Sequence, residues 1–161
     1  MNLKKYRFRL WALSRFKIPM IGLCRPSLVE LNDQKIVIKI PLYFFTKNHY
    51  GSMYFGAQAV GADLAAGYLG YALCEEQHLI PGLVFKDFTA EFLKRPESDV
   101  YFVCAQGSDI QDQVHESLTT ESRITRSIHV EAYTQYNTGH QELVSKFTLG
   151  LSLKVKKRKG L

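Results

Sequence analysis

One acidic residue stands inside a long stretch of small and apolar residues, from Asn48 to Tyr71, and this stretch most constrains what the chain can fold into. The acid is Asp63, and the residues around it predict a helix rich in glycine and alanine. Each glycine costs a helix about 1 kcal/mol relative to alanine, so such a helix needs close packing on several sides. Because an ionised carboxylate is costly there unless it is paired or faces a wet cleft, Asp63 is the first functional candidate.

The composition fits one domain with a substantial core: 161 residues, of which 46% are hydrophobic and 22% charged. The three cysteines, Cys24, Cys74 and Cys104, are widely spaced and form no CxxC pair, which predicts buried free thiols in a reducing compartment. Basic residues such as Arg7 and Arg15 interrupt the apolar N-terminal run, unlike the pattern of a secretory signal. We therefore expect a cytoplasmic protein.

A membrane span is the alternative interpretation of the glycine-rich stretch. Residues 54–74 reach the length of about 20 residues that a helix needs to cross a bilayer. Gln58 and Asp63 lie inside that length, and the rest of the chain has the pattern of strands. Small residues also suit tight packing of a helix on a sheet, which is the structure we expect.

The formal charge of +6 is concentrated at the two ends of the chain, in residues 4–9 and 154–160. Basic ends can meet nucleic acid, an anionic membrane surface or the phosphates of coenzyme A, and a solvated terminus is the simplest interpretation of the last four residues. We expect no nucleic-acid partner.

The N-terminal run from Tyr6 to Ile21 mixes apolar and basic residues in a pattern close to an amphipathic helix, and Pro19 and Pro26 punctuate its end. Packing against its own domain is the commoner fate of such a helix, and attachment to a membrane surface is the alternative. The predicted organisation is an N-terminal helix in residues 1–26, a core domain in residues 27–155 and a basic tail in residues 156–161.

Strand patterns occupy most of the remaining chain. A hairpin is predicted in residues 28–45 around the turn Asn32-Asp33, with Pro41 at an edge or a bulge. A surface helix is predicted in residues 108–121, with Ser108 as its N-cap. Four further strands are predicted in residues 84–93, 99–106, 126–136 and 142–155. This order favours an α+β domain in which one antiparallel sheet curls around the central helix.

Six residues of the central stretch resemble a family pattern: Asn48, then Tyr54-Phe55-Gly56, then Asp63 and Gly67. They are similar to the N…HGG…D/E…G pattern of hotdog-fold acyl-CoA thioesterases, and most of all to a thioesterase-like branch of unknown function with an additional N-terminal helix. The resemblance spans residues 28–155 and implies a single hotdog domain. Tyr54 and Phe55 depart from the pattern, since they replace its histidine and first glycine.

The resemblance implies that Asp63 is the base or nucleophile, that the Gly56 amide polarises the thioester carbonyl and that Asn48 orients the substrate. The substrate would be an acyl-CoA or acyl-carrier thioester, with coenzyme A entering as part of the substrate and no separate cofactor. The residues expected to contact it are Tyr54, Phe55, Gly67 and His49.

Gly56 and Asp63 are seven residues apart, or two helical turns, which is too far for one subunit to hold one carbonyl with both. In the family, facing subunits supply the two groups, which implies a homodimer or a tetramer. Lys154, Lys156 and Arg158 are candidates for contacting the phosphates of coenzyme A.

Each candidate also has a structural interpretation. Asp63 can be a structural acid, Asn48 can shape the turn before the helix, and Tyr54 can be an aromatic wall. The replaced histidine and glycine favour a second hypothesis, a non-catalytic module that binds an acyl group or a lipid. Hydration or dehydration of a thioester is a third hypothesis. The remaining histidines have no metal-ligand spacing, so no metal is expected.

Overall fold

The computed structural model describes residues 1–158, so the last three residues of the predicted tail lie outside the described part of the chain. The helices are α1 (Leu3–Ala12), which continues into a π-helical turn (Leu13–Lys17), α2 (Pro19–Leu23), α3 (Phe55–Glu76) and α4 (Gly107–Thr120). The strands are β1 (Ser27–Leu31), β2 (Ile36–Ile40), β3 (Leu79–Phe92), β4 (Val100–Cys104), β5 (Ile124–Thr134) and β6 (Glu142–Lys157).

The six strands form one antiparallel sheet in the order β1-β2-β4-β5-β6-β3. Helix α3 contacts five of them, β2 to β6, so the sheet wraps around this helix. The predicted α+β hotdog domain with an additional N-terminal helix is confirmed. Strand β3 lies at one edge of the sheet and, within residues 1–158, pairs with β6 alone.

The small residues of α3 allow the close packing that its low helix propensity requires. A Cβ atom added at Gly61 would lie 2.3 Å from the buried ring of Phe102. At Gly67 it would lie 3.3 Å from the ring of Phe85. The helix is therefore stabilised by tertiary contacts that larger residues would obstruct.

The N-terminal hairpin forms at the predicted turn, where Asn32 Oδ1 accepts hydrogen bonds from the amides of Gln34 (2.9 Å) and Lys35 (2.8 Å). The prediction that its second strand runs to residue 45 was wrong. Strand β2 ends at Ile40, because Pro41 has no amide hydrogen to continue the ladder. Residues 41–54 form the loop that leads into α3.

Two other local predictions differ from the structure. Strand β3 begins at Leu79, five residues before the predicted start, since an edge strand tolerates Pro81 and Gly82. Helix α4 has Gln106 rather than Ser108 as its N-cap. The Ser108 hydroxyl instead donates to Gln34 Oε1 at 2.7 Å.

The N-terminal segment packs on the domain through one stripe, in which Tyr6 and Leu10 are buried. The Tyr6 hydroxyl donates to Glu76 Oε1 at 2.7 Å, near the end of α3. Four other large apolar side chains of this segment lie outside that stripe. Phe8, Trp11, Phe16 and Ile18 are exposed, because the segment meets the domain on one side only.

The three cysteines are buried free thiols, as predicted. Among residues 1–158, no helix combines the length and the hydropathy needed to cross a membrane.

Candidate functional site

Asp63 lies in the third turn of α3 and borders a cleft of about 550 Å³. The cleft is bounded by α3, by the N-terminal segment and by the start of β3. Its walls are mainly apolar and include Leu13, Phe16, Ile21, Leu64, Pro81 and Leu83. Its volume falls within the range of roughly 300–1,000 Å³ that small-molecule sites have.

The Asp63 carboxylate has no hydrogen bond or ion pair within residues 1–158, although Arg9 and Lys17 border the same cleft. The Arg9 guanidinium is engaged elsewhere, at 2.8 Å from Glu75 Oε1 and 3.0 Å from the Tyr71 hydroxyl. Burial, uncompensated by a cation, raises the pKa of Asp63 above its ordinary value. A carboxylate in this state is a stronger base than a solvated one.

Gly67 follows Asp63 by one helical turn and borders the same cleft. Its missing side chain leaves room in front of Phe85 and Leu83 of β3. Asp63 and Gly67, both predicted as site residues, therefore border the same cleft.

The amino end of α3 presents backbone donors. Tyr54 is the N-cap: its amide donates to the Thr46 carbonyl at 2.8 Å, and its own carbonyl accepts from the amide of Ala57 at 3.0 Å. Over the described chain, the amides of Phe55 and Gly56 have no acceptor. Two donors at the positive end of a helix suit a negatively charged oxygen.

Two aromatic rings lie at the same end of α3, those of Tyr54 and Phe55, with centroids 4.7 Å apart. The Tyr54 ring lies against Gly56, so close that a Cβ added to the glycine would be 2.5 Å from it. The Phe55 ring contacts that of Phe92 on β3, with centroids 6.4 Å apart. Tyr54 and Phe55 are both about half exposed and form an aromatic wall at this end of α3.

Asn48 organises the loop before α3. Its Oδ1 accepts hydrogen bonds from the amides of Tyr50 (2.9 Å) and Ser52 (3.2 Å), and also from the Ser52 hydroxyl. These bonds support the turn-shaping interpretation of Asn48, and its side-chain NH2 group donates no hydrogen bond within residues 1–158. His49 is exposed, and its ring lies on that of Tyr50, 3.9 Å between centroids.

The predicted site residues thus fall into two groups. Asp63 and Gly67 border the cleft, whereas the donors, the aromatic wall and Asn48 lie at the amino end of α3. Seven residues of helix separate Gly56 from Asp63, a distance of about 10 Å between backbone positions. One chain does not bring both groups to the same atom.

The contribution of the N-terminal segment to the cleft was missed by sequence analysis. Leu13, Phe16 and Ile18 form one side of the cleft, and Arg9 holds Tyr71 at its border. The signal was present in the sequence, since residues 6–21 carry more apolar side chains than one helix stripe can bury.

The basic residues proposed to meet coenzyme A lie at the end of β6, beside the start of β3. Arg158 Nη2 is 3.5 Å from Glu75 Oε2, near the carboxyl end of α3. These three basic residues therefore lie at the opposite end of α3 from Gly56. In the part of the chain that the structure covers, no three His, Cys, Asp or Glu side chains are grouped to hold a metal ion.

Solved structures share this fold across nearly the whole chain. A protein of unknown function from Chlorobaculum tepidum has a TM-score of 0.81 at 11% identity, with 98% of each chain covered. A protein of unknown function from Pseudomonas aeruginosa has a TM-score of 0.77 at 18% identity, with 97% of each chain covered. A thioesterase from Haemophilus influenzae has a TM-score of 0.67 at 14% identity, with 99% of this chain and 94% of that one covered.

At these identities the structures show a shared hotdog fold. No curated protein matches the sequence. A family model does match, over residues 8–149, which include part of the N-terminal segment, all of α3 and most of the sheet. The chain therefore belongs to the family described as Domain of unknown function (DUF4442).

Proposed function

We propose that this protein hydrolyses an acyl thioester at a site shared between two copies of the chain. The observation that carries the proposal is Asp63, a partly buried carboxylate without a partner among the described residues, in an apolar cleft that fits an acyl chain. The thioesterase from Haemophilus influenzae, which has the same fold, supports the reaction class.

In the proposed reaction, Asp63 removes a proton from a water molecule as the water oxygen attacks the thioester carbonyl. The Gly56 amide stabilises the negative charge that develops on the carbonyl oxygen. The carbon–sulfur bond then breaks, and the proton held by Asp63 passes to the leaving thiolate. The products are a carboxylic acid and the free thiol of the carrier. Direct attack by the Asp63 carboxylate on the carbonyl is the alternative first step.

A second copy of the chain is proposed because Gly56 and Asp63 of one copy are about 10 Å apart along α3. Strand β3 offers the surface for it: 14 residues long, with an unpaired outer edge in the described structure and half-exposed Val84, Phe88 and Phe92. Exposed apolar edges of this length are templates for pairing with another chain.

The proposed shared site determines the level of the two-fold axis along α3. To bring Gly56 of one copy to Asp63 of the other, the axis must pass level with Ala59 and Val60, midway between them. Gly67 lies opposite Phe85, and Phe55 lies opposite Phe92, so this level corresponds to residues 88–90 of β3. We therefore propose antiparallel β3–β3 pairing centred there.

The same arrangement gives the basic end of β6 a function. Lys154 and Lys156 lie at the carboxyl end of α3, which is far from Gly56 of the same chain. Because the second copy would run antiparallel to the first, its Lys154 and Lys156 would lie nearer to Gly56 of the first copy. The phosphates of coenzyme A would meet them there.

The experiment is a thiol-release assay over short, medium, long and aromatic acyl-CoA substrates, comparing Gly56→Pro with Gly56→Ala. Proline removes the amide hydrogen in the first turn of a helix, where it is tolerated, whereas alanine keeps it. Both add a Cβ against the Tyr54 ring, so alanine controls for the displaced ring. We expect proline to lower turnover about 10²-fold below the alanine variant. Equal rates would remove the Gly56 amide from the mechanism.

A non-catalytic module that binds an acyl group is the second candidate, and the Tyr54 ring favours it because it lies directly against Gly56. It predicts no turnover on any substrate of the panel, together with an acyl ligand retained by the purified protein in mass spectrometry. Turnover that depends on Asp63 would exclude it.

A further inference from the structure

The N-terminal segment has a charge distribution unlike that of the rest of the chain. Its first 29 residues contain seven of the 21 lysines and arginines and none of the 15 acidic residues. The remaining residues therefore hold 14 basic and 15 acidic side chains, so the whole excess of positive charge belongs to this segment. A surface of this kind attracts anionic partners.

Large aromatic side chains stand on the outside of this segment. Phe8 is 66% exposed, Trp11 54% and Phe16 68%. Trp11 lies between the other two, with centroid distances of 5.7 Å to each. The domain's own packing uses the opposite stripe, where Tyr6 and Leu10 are buried, so nothing in the described chain covers these rings.

The loop before α3 extends this surface. The Tyr43 hydroxyl donates a hydrogen bond to the Leu23 carbonyl, and the Arg25 guanidinium lies 4.3 Å from the centre of the Tyr43 ring. The same loop exposes Phe44 and Phe45. We call the combined surface the aromatic patch; its members are Phe8, Trp11, Phe16, Met20, Leu23, Phe44 and Phe45.

Cations surround the aromatic patch. Two basic residues of the segment are neutralised, Lys5 by Glu76 and Arg9 by Glu75. The other five form no ion pair within residues 1–158. They are Lys4, Arg7, Arg15, Lys17 and Arg25. Lys4, Phe8, Trp11 and Arg15 follow one another at spacings of four, three and four residues, so cations and rings share one helix face.

We propose that the aromatic patch docks the protein onto an anionic lipid bilayer. Tryptophan and phenylalanine rings enter the interface between headgroups and acyl chains, and basic residues near an anionic surface contribute about 1 kcal/mol each. A second copy of the chain is a poorer occupant, because two such patches face to face would bring cations against cations. The segment therefore lies on the membrane surface and does not span it.

The cleft borders the docking surface. Phe16, Lys17 and Ile18 line the cleft that holds Asp63 and are themselves exposed. Docking would place the cleft beside the acyl chains of the bilayer. The inference itself rests on the aromatic patch and its charges, and holds whether or not the protein hydrolyses a thioester.

Trp11 provides the readout, since it is the one tryptophan of the chain. The wild-type protein is mixed with vesicles of phosphatidylcholine containing about 30% phosphatidylglycerol, and with vesicles of phosphatidylcholine alone. We expect co-sedimentation with the anionic vesicles, a shift of Trp11 emission to shorter wavelength, and loss of both at high salt.

Two double variants test the two parts of the surface. Phe8→Ser with Phe16→Ser removes exposed rings, and should abolish the emission shift without lowering the melting temperature. Arg15→Gln with Lys17→Gln removes two cations, and should weaken binding about 30-fold, the equivalent of about 2 kcal/mol. Lys154→Gln with Lys156→Gln is the matched control, because it removes the same charge from the other basic end.

Three results would overturn the proposal. The first is no binding to anionic vesicles. The second is an equal loss of binding in the Arg15/Lys17 and Lys154/Lys156 variants, which would mean that overall charge and not the aromatic patch is responsible. The third is a Trp11 emission shift that depends on protein concentration in the absence of vesicles, which would make the patch an interface between copies.

Discussion

Replacing Asp63 with asparagine is expected to lower turnover of an acyl thioester about 10³-fold and to raise the melting temperature of the protein. Asparagine has nearly the same shape as aspartate but cannot accept a proton or attack a carbonyl. The loss should appear in kcat at every chain length, with the oligomeric state unchanged. An unchanged rate would remove Asp63 from the mechanism.

The rise in melting temperature follows from the raised pKa of Asp63. Because the pKa is higher in the folded chain than in the unfolded chain, ionisation of this group opposes folding. This loss of folding free energy is absent at a pH below the pKa of Asp63 in the unfolded chain. It grows as the pH rises and is complete above the pKa of Asp63 in the folded chain. Asparagine lacks this cost, so the gain in melting temperature should be larger near pH 7 than near pH 4.

Calorimetry of both proteins across this pH range checks the prediction, with Asp112→Asn as the control, an exposed carboxylate on α4 away from β3. A gain in melting temperature that does not change with pH would mean that a positive charge pairs with the Asp63 carboxylate in solution. A fall in melting temperature would mean that Asp63 has a structural role.

Replacing Phe88 with glutamate is expected to dissociate the proposed dimer. Phe88 is 43% exposed, and the proposed composite site requires the two-fold axis at its level on β3. Two glutamates facing each other across that axis repel one another, and like charges placed together in an interface cost several kcal/mol. We expect dimer affinity to fall at least about 10²-fold, measured by sedimentation velocity.

Activity should follow assembly in this variant. Turnover per chain should be lost in dilute solution and should return as the protein concentration approaches the new dissociation constant. Phe45→Glu is the matched control, since Phe45 is an exposed aromatic residue of the loop before α3, outside β3, and should leave assembly unchanged. A Phe88→Glu protein that is monomeric and fully active would contradict the shared site.

The sequence predicts the central features of the fold for physical reasons. A helix with the glycine content of α3 can exist only where other elements pack closely around it, and Gly61 and Gly67 do meet aromatic rings of β4 and β3. The strands follow from their β-branched and aromatic residues. The predicted strand boundaries were wrong where the effect of a proline depends on its neighbours. Pro81 lies inside an edge strand, whereas Pro41 ends an internal strand.

The candidate site was predictable in its residues but not in its surroundings. The spacing of Gly56 and Asp63 already separates them by two helical turns. The walls of the cleft depend on tertiary packing, because Tyr6 and Leu10 bind the N-terminal segment to the domain and so place Phe16 beside Asp63. No local pattern distinguishes the stripe that is buried from the one that remains exposed.

Mixing two inactive variants shows whether the site is shared between two copies of the chain. Asp63→Asn and Gly56→Pro are each expected to be inactive as homodimers. In an equimolar mixture that has exchanged subunits, half of the dimers are mixed, and each mixed dimer has one site with an intact Asp63 from one chain and an intact Gly56 amide from the other. We expect the mixture to recover about a quarter of wild-type activity. No recovery in a mixture shown to contain mixed dimers would contradict it.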